Sequence, residues 1–340
     1  MGLLSFFNRE VAMDLGTANS IVIYNDQVVI DEPSIVAYDR TNNKIIAVGK
    51  RAQLMDGKTD RNVETIRPLR GGVIADFEMA QHLIRELIGM TNVNRSFLPP
   101  SLRMVICIPS GITNVEERAV RESAEQAGAK EIRMIHEPMA AAIGIGIDVL
   151  QPEGHMVVDI GGGPAEIAVI SLGGIVCNNS IRVAGDVFND NVVDYMKRQH
   201  NMIIGVRTAE QVKIAVGAAV SELADPPEDY RTTGRDLLTG LPKEISVNYK
   251  EIAHALDKSI ASIEQAILDT LAATPPELAA DIYKTGIYLA GGGALLRGLD
   301  QRVSQKTKLQ VHIADDPLRA VARGTGIALK NFNKFSFLIR

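Results

Sequence analysis

VVDIGGGPAEIAVI, residues 157–170, is the stretch whose reading decides the fold. An apolar run ends in Asp159, three glycines (Gly161, Gly162, Gly163) and Pro164 follow, and a second apolar run begins. The β-branched runs predict two strands joined by a tight turn. Such a turn can be a plain hairpin. It can also be an anion cradle, because successive backbone N–H groups converge and glycine lets a ligand approach the main chain closely. The same frame occurs near the start, in VAMDLGTANSIVIY (11–24), where Asp14 holds the place of Asp159. One frame used twice at this distance predicts a duplicated α/β unit, since a solenoid would repeat every ~20–50 residues. Two copies can face each other across a cleft. Two turns, each beside a carboxylate, could then clamp a polyphosphate and hold a hydrated Mg²⁺. A third glycine turn, Gly291–Gly293, could seat an adenine ring or a phosphate. The P-loop pattern G-x-x-x-x-G-K-[ST] is absent, as is G-x-G-x-x-G at a first strand, so a mononucleotide site would be of another kind.

A chain of 340 residues is too long for one ordinary core and suits two or more lobes. A formal net charge of −5 argues against a nucleic-acid partner, which would select a basic face. Cys107 and Cys177 form no C-x-x-C pair and no Cys/His cluster, which points to two buried free thiols in a reducing cytosol. No apolar run reaches the roughly 18 residues of a membrane span, and MGLLSFFNRE lacks the basic start of a signal peptide. It opens Met-Gly, but Phe6 stands where myristoylation wants Ser or Thr.

Strands and helices alternate throughout, which predicts an α/β protein. Residues 10–38 read as strands with turns at Gly16 and Asn25-Asp26, and 102–109 as a buried strand. Helices are predicted at 77–90, at 113–129 with Thr113 as N-cap, and at about 186–200, 208–222, 250–272 and 275–285. The strand TGIYLA (285–290) is read as meeting a glycine turn that opens a helix.

DLGTANS, IRPLRGGVIADF, VICIPSGIT, HEPMAAAIG, VVDIGGG, AVISLGGIV, RVAGD, GRDLLTGLPK, TPPELAADI and GGGALLRGLD run in this order along nearly the whole chain. Together they resemble the MreB family of bacterial actin homologues. The resemblance implies the actin-like fold of the actin, Hsp70 and sugar-kinase superfamily. Two lobes of duplicated α/β subdomains enclose a nucleotide cleft and carry two smaller outer subdomains. It assigns 1–31, 71–147 and 317–340 to the inner and 32–70 to the outer subdomain of lobe I. It assigns 148–185 and 253–316 to the inner and 186–252 to the outer subdomain of lobe II.

The resemblance further implies ATP and Mg²⁺ as ligands. The first phosphate turn is then Asp14, Gly16, Thr17, Ala18, Asn19 and Ser20, and the second is Asp159, Gly161, Gly162 and Gly163. Gly185 and Asp186 of RVAGD join them. Asp14 and Asp159 would hold Mg²⁺ through water. Glu210 and Lys213, one helical turn apart, would bracket the ribose and base, although alone they also read as a surface ion pair. Gly291, Gly292, Gly293 and Ala294 would lie along the adenine. Glu137 would position the attacking water, and it also reads as an acid at a helix N-terminus.

Here the family's D-I-G-G-G-T-T-E stands as D-I-G-G-G-P-A-E. Pro164 has no N–H and no hydroxyl, and Ala165 removes a second hydroxyl. Losing one preorganised donor at a developing charge slows a reaction by about 10²–10³. The expectation is therefore nucleotide binding with slow hydrolysis, against a turn merely stiffened by proline where water replaces the hydroxyl.

Of eight phenylalanines, Phe6, Phe7, Phe97, Phe332, Phe335 and Phe337 lie in three places. RSFLPPS predicts that Phe97 and Leu98 are exposed, and an exposed apolar patch marks a contact surface. In the family this loop, with an N-terminal segment, dips into the inner leaflet. Phe97, Leu98, Phe6 and Phe7 are the candidate membrane residues here, while Phe332 and Phe335 are expected to pack on their own sheet. The resemblance also implies head-to-tail protofilaments paired antiparallel and elongation partners such as RodZ and MreC. It implies a cytoplasmic protein peripheral to the inner membrane face, organising wall synthesis for rod shape. The rivals are a small-molecule kinase, a chaperone ATPase and a scaffold that binds nucleotide without turnover.

Overall fold

Val11, Ala12 and Met13 are all buried, so the first strand is covered on both faces, as in sheets layered with helices. The computed structural model describes residues 9–91 and 102–339. Phe6, Phe7, Phe97 and Leu98 lie outside the described residues. Contact density divides the chain into two units. Unit 1 holds the described residues up to Glu153, with Ile170–Val176 and those from Leu318 onward, and unit 2 holds Gly154–Val169 and Cys177–Pro317.

Unit 1 begins with β1 (Arg9–Leu15), β2 (Asn19–Tyr24) and β3 (Gln27–Pro33). The β2–β3 turn uses Asn25 and Asp26 at φ 51° and 62°, the left-handed pair that a two-residue hairpin needs. A small sheet follows, β4 (Val36–Asp39), β5 (Lys44–Val48) and β6 (Val63–Ile66), with α1 (Lys50–Met55) against it, then the hairpin β7 (Leu69–Arg70) and β8 (Val73–Ile74). α2 (Phe77–Met90) starts where the Asp76 carboxylate accepts the Met79 N–H, and it buries Met79, Leu83, Ile84, Leu87 and Ile88 on one stripe. β9 (Leu102–Ile108), α3 (Asn114–Gln126), β10 (Ala129–His136) and α4 (Glu137–Ile145) complete the inner layer. Thr113 caps α3 in a reciprocal capping box with Glu116. The large sheet runs β10-β9-β1-β2-β3.

Unit 2 repeats the plan. β11 (His155–Ile160), β12 (Ala165–Ser171) and β13 (Gly174–Ile181) lead into α5 (Gly185–His200). β14 (Met202–Ile203), α6 (Val206–Val216), β15 (Tyr230–Asp236) and β16 (Pro242–Val247) follow, the three strands forming a small sheet. α7 (Tyr249–Ala273), α8 (Pro276–Thr285), β17 (Ile287–Ala290), a 3-10 turn (Gly292–Leu295), α9 (Leu299–Thr307) and β18 (Val311–Ile313) close it. The large sheet runs β13-β12-β11-β17-β18, the unit 1 order with β11 in the place of β1. The duplication read from Asp14 and Asp159 is thus a duplication of topology.

The chain returns to unit 1 as α10 (Ala320–Lys330), which crosses α4 at glycine contact. A Cβ on Gly324 would stand 1.8 Å from the Ala140 carbonyl oxygen, and one on Gly144 at 1.8 Å from that of Ala320. Only glycine fits at either place. The tail then folds back on the unit. Phe332 and Phe335 are buried as expected, and the Phe332 ring meets the Arg103 and Arg133 guanidiniums at 4.7 and 4.4 Å.

Three expectations are corrected. The helix predicted at 208–222 stops at Val216, because Ala218 forms a β-bridge with Arg297 instead. The Gly291 turn opens a 3-10 turn, with α9 starting only at Leu299. Cys107 is buried, but Cys177 is only partly so and points its thiol at the Ala273 carbonyl. Among the described residues, no helix is long and apolar enough to cross a membrane.

Candidate functional site

In open α/β sheets, ligands bind beyond the carboxyl ends of the strands. In unit 1, register aligns those ends: Cys107 of β9 pairs with Asp14 of β1 on one side and with Ile135 of β10 on the other. Asp14 and Glu137, the first residue of α4, therefore sit at one edge of one sheet. Burial pushes the Asp14 carboxyl up to about 7, and a cation beside it would favour its ionised form. Gly16 makes the β1–β2 turn possible, since a Cβ there would stand 2.6 Å from the Asn19 carbonyl oxygen.

The turn is braced from below. The Ser34 hydroxyl donates to the Gly16 carbonyl at 2.6 Å, and Ser20 and Ser34 share a hydroxyl contact at 2.8 Å. Ser20 is thus buried beneath the turn, whereas Asn19 is exposed and Ala18 partly so. The Thr17 hydroxyl accepts the Gly72 N–H at 3.1 Å. Thr17 and Glu137 line one small crevice with Leu15, Gly72 and Cys107. Ser34 and Gly72 escaped the sequence reading because their role is to contact a turn 18 and 55 residues away.

In unit 2, Asp159 pairs with Ala290 at the carboxyl ends of β11 and β17, which brings the Gly161–Gly163 turn beside the Gly291–Ala294 turn. The contact is close. A Cβ on Gly291 would meet the Ile160 oxygen at 2.4 Å, and one on Gly293 would meet Ile160 Cγ2 at 2.2 Å. These two glycines therefore serve the packing of turn on strand end. Gly185 and Asp186 open α5 and donate their N–H groups to the Gly161 and Gly162 carbonyls at 3.1 and 2.7 Å. Lys213 reaches across from α6 to the Gly185 carbonyl at 3.2 Å. Burial depresses the Lys213 ammonium, while Glu210 and Asp186 partly restore it. So Asp159, Gly161–Gly163, Gly185, Asp186, Glu210, Lys213 and Gly291–Ala294 fall in one neighbourhood of unit 2.

Ala165 differs from its sequence reading. Its side chain has no solvent exposure and belongs to the apolar core with Ile167 and Val169, so a hydroxyl there would be buried. Pro164 is also buried, and its carbonyl accepts the Gly161 N–H at 3.2 Å. A separate cleft of about 750 Å³ in unit 2, lined by Lys250, His254, Arg302 and Lys306, contains none of the predicted residues.

Among the described residues no group of three potential metal ligands occurs. Asp14 in unit 1 and Asp159 in unit 2 each offer hard oxygen donors of the kind that Mg²⁺ takes.

Residues 8–337 match the family described as MreB/Mbl protein. The chain belongs to the MreB/Mbl family. It is 46% identical over 329 residues to the cell shape-determining protein Mbl of Bacillus subtilis, covering 96% of this chain and 98% of that one. It is 44% identical to the cell shape-determining protein MreB of Escherichia coli, covering 95% and 94%. Among solved structures, MreB5 of Spiroplasma citri bound to AMPPNP superposes with a TM-score of 0.90 at 37% identity, covering 96% of this chain and 97% of that one. The same protein is also solved bound to ADP. A MamK double helical filament, 22% identical with a TM-score of 0.79, shares the fold. The MreB/Mbl chain described here has the actin-like α/β fold that the family resemblance implied.

Proposed function

We propose that this protein is an ATP-binding, filament-forming cytoskeletal protein that maintains rod shape from the inner face of the cell membrane. The observation that carries this reading is the pair of equivalent glycine turns, each beside an aspartate at the carboxyl end of the central strand of a duplicated sheet. It is supported by the relative at 37% identity solved with AMPPNP and with ADP.

In this reading Glu210 and Lys213 flank the ribose and base, and the Gly291–Ala294 turn lies along the adenine. The Gly161–Gly163 and Gly16–Asn19 turns offer main-chain donors to the phosphates. Asp14 and Asp159 hold the magnesium, which would neutralise phosphate charge. Glu137 orients water at the terminal phosphate. Phosphoryl transfer depends on positioning and charge stabilisation, so a missing donor at Pro164 lowers the rate while leaving binding in place.

Membrane attachment through Phe6, Phe7, Phe97 and Leu98 is supported by strand register. Arg9 pairs with Leu102, so the chain segments that precede β1 and β9 leave the sheet at neighbouring strand ends. Partly inserted side chains bind weakly one at a time, and a filament would add avidity. Head-to-tail assembly, antiparallel pairing and contact with RodZ and MreC belong to the same reading.

The test is sedimentation with ATP–Mg²⁺, with ADP, and without nucleotide, each with and without anionic liposomes. ATP-dependent pelleting that carries liposomes down supports the proposal. Nucleotide-independent behaviour in every arm would refute it. The slow-hydrolysis scaffold is the version favoured by Pro164, and phosphate release measured in the same samples separates it from an active ATPase.

A further inference from the structure

α6 carries Glu210 and Lys213, and the 3-10 turn follows Gly291. These two elements are far apart in sequence, yet a nucleotide site of the kind proposed requires their spacing to be fixed. The structure contains a device that fixes it. α6 ends at Gly217, four residues past Lys213, and the chain there is stitched to the segment just beyond the 3-10 turn. The Ala219 N–H donates to the Arg297 carbonyl at 2.8 Å, and Ala218 bridges Arg297 in parallel. The Arg297 guanidinium donates back to the Gly217 carbonyl at 3.3 Å. Gly217 admits nothing larger, because a Cβ would stand 2.2 Å from the Lys213 oxygen and 2.9 Å from Leu296 Cδ1.

Arg302, one turn into α9, locks the stitch. Its Nη1 donates to the Ala219 carbonyl at 3.0 Å and meets Asp257 Oδ1 at 2.8 Å. Its Nε and Nη2 reach the two oxygens of Glu264 at 2.9 and 3.4 Å, and the Glu264 side chain is 9% exposed. A planar fork held by a buried carboxylate has little freedom. Glu264 and Asp257 belong to α7, the longest helix of the unit, so the stitch is referenced to a rigid element. Arg302 lines the 750 Å³ cleft, whose lining contains none of the predicted site residues.

We propose that Arg302, with Arg297, is a positioning residue that sets the distance between the Glu210–Lys213 face of α6 and the Gly291–Ala294 floor. It thereby sets the part of the affinity that comes from the base and ribose. The Gly161–Gly163 turn has bonds of its own, from the Gly185 and Asp186 N–H groups of α5 to the Gly161 and Gly162 carbonyls, and Lys213 meets that network at the Gly185 carbonyl. This inference rests on the adenine-nucleotide reading above, and the test separates the two.

The experiment compares the full chain with Arg302→Met and Arg302→Lys. Dissociation constants for Mg–ADP and for Mg–tripolyphosphate are measured beside melting without ligand. Arg302→Met is expected to weaken ADP about tenfold and tripolyphosphate less than twofold. Arg302→Lys, which keeps the charge but not the fork, should fall between. Equal weakening of both ligands, or no weakening of either, would overturn the positioning role. Glu264→Gln, which loosens the fork without emptying the site, repeats the comparison if Arg302→Met does not fold. If the unaltered chain binds tripolyphosphate but not ADP, the adenine reading itself fails and the inference falls with it.

Discussion

Gly161 donates its N–H to the carbonyl of Pro164 at 3.2 Å, so the second glycine turn is closed by a bond between its own two ends. Proline can accept in this bond but cannot donate, and its ring fixes the backbone on the far side of the turn. The turn is therefore closed with proline in it, and in the proposed nucleotide reading what it lacks is one donor. Pro164→Thr alone should raise phosphate release about 100-fold, with filament pelleting unchanged. Adding Ala165→Thr should give no further rate, because that side chain lies in the core, and should destabilise the chain by about 1–3 kcal/mol. Equal phosphate release by the unaltered chain and Pro164→Thr would mean that the proline is only a turn residue.

The α4–α10 crossing should be intolerant of a single methyl group. Gly324→Ala places a Cβ on the Ala140 carbonyl, where backbone rather than a flexible side chain must give. The expected loss is on the order of 3 kcal/mol, read as an earlier denaturant midpoint at unchanged slope. Gly89→Ala, where a Cβ meets nothing within 4 Å, is the control and should not destabilise.

The β15–β16 hairpin tip should depend on acid. The Thr239 main-chain N–H donates to the Asp236 carboxylate, and with Lys243 and the Leu238 N–H it lowers that group to about 2. A depressed carboxyl means that the folded tip binds fewer protons than the unfolded chain. Its support is complete above pH ~4 and is lost as pH falls through about 2. Protection of the Leu238 and Thr239 amides, measured against the intrinsic exchange rate at each pH, should therefore fall over that window. Asp236→Asn should abolish the change, and a wild-type tip flat from pH 5 to 2 would contradict it.

Phe97→Asp with Leu98→Asp should release filaments from anionic liposomes while ATP-dependent pelleting continues. Polar replacement of Phe332, whose buried ring meets the Arg103 and Arg133 guanidiniums, should instead lower stability. Unchanged liposome binding by the doubly charged variant would remove the loop from the membrane reading.

The legible parts of this fold are those in which one segment contains its own instructions. The apolar periodicity of 77–90 marks α2 to the residue, and Asn25-Asp26 marks its hairpin. The paired aspartate turns foretold a duplicated α/β unit, which the structure shows as two sheets of the same strand order. What stayed hidden is set by distant chain. Helical periodicity continues past Val216, but Arg297 captures Ala218 and ends the helix. Every residue of β12 is buried, so alternation could not say that Ala165 faces the core. Ala140 and Gly144, like Ala320 and Gly324, carry small residues four apart. Nothing in either segment announces that it meets the other.

The register of Arg9 with Leu102 has a practical consequence for anyone imaging this protein. A fluorescent protein fused to the N-terminus is joined to the strand that begins at Arg9, one strand, about 4.8 Å, from Leu102, where β9 begins after the 92–101 segment. A folded reporter of that bulk would compete for space with whatever that segment meets, and a mislocalised fusion could be mistaken for biology. The exposed turn at Thr41–Asn43, between β4 and β5, belongs to a different sheet and offers a place for an internal tag that leaves this end of the sheet unencumbered.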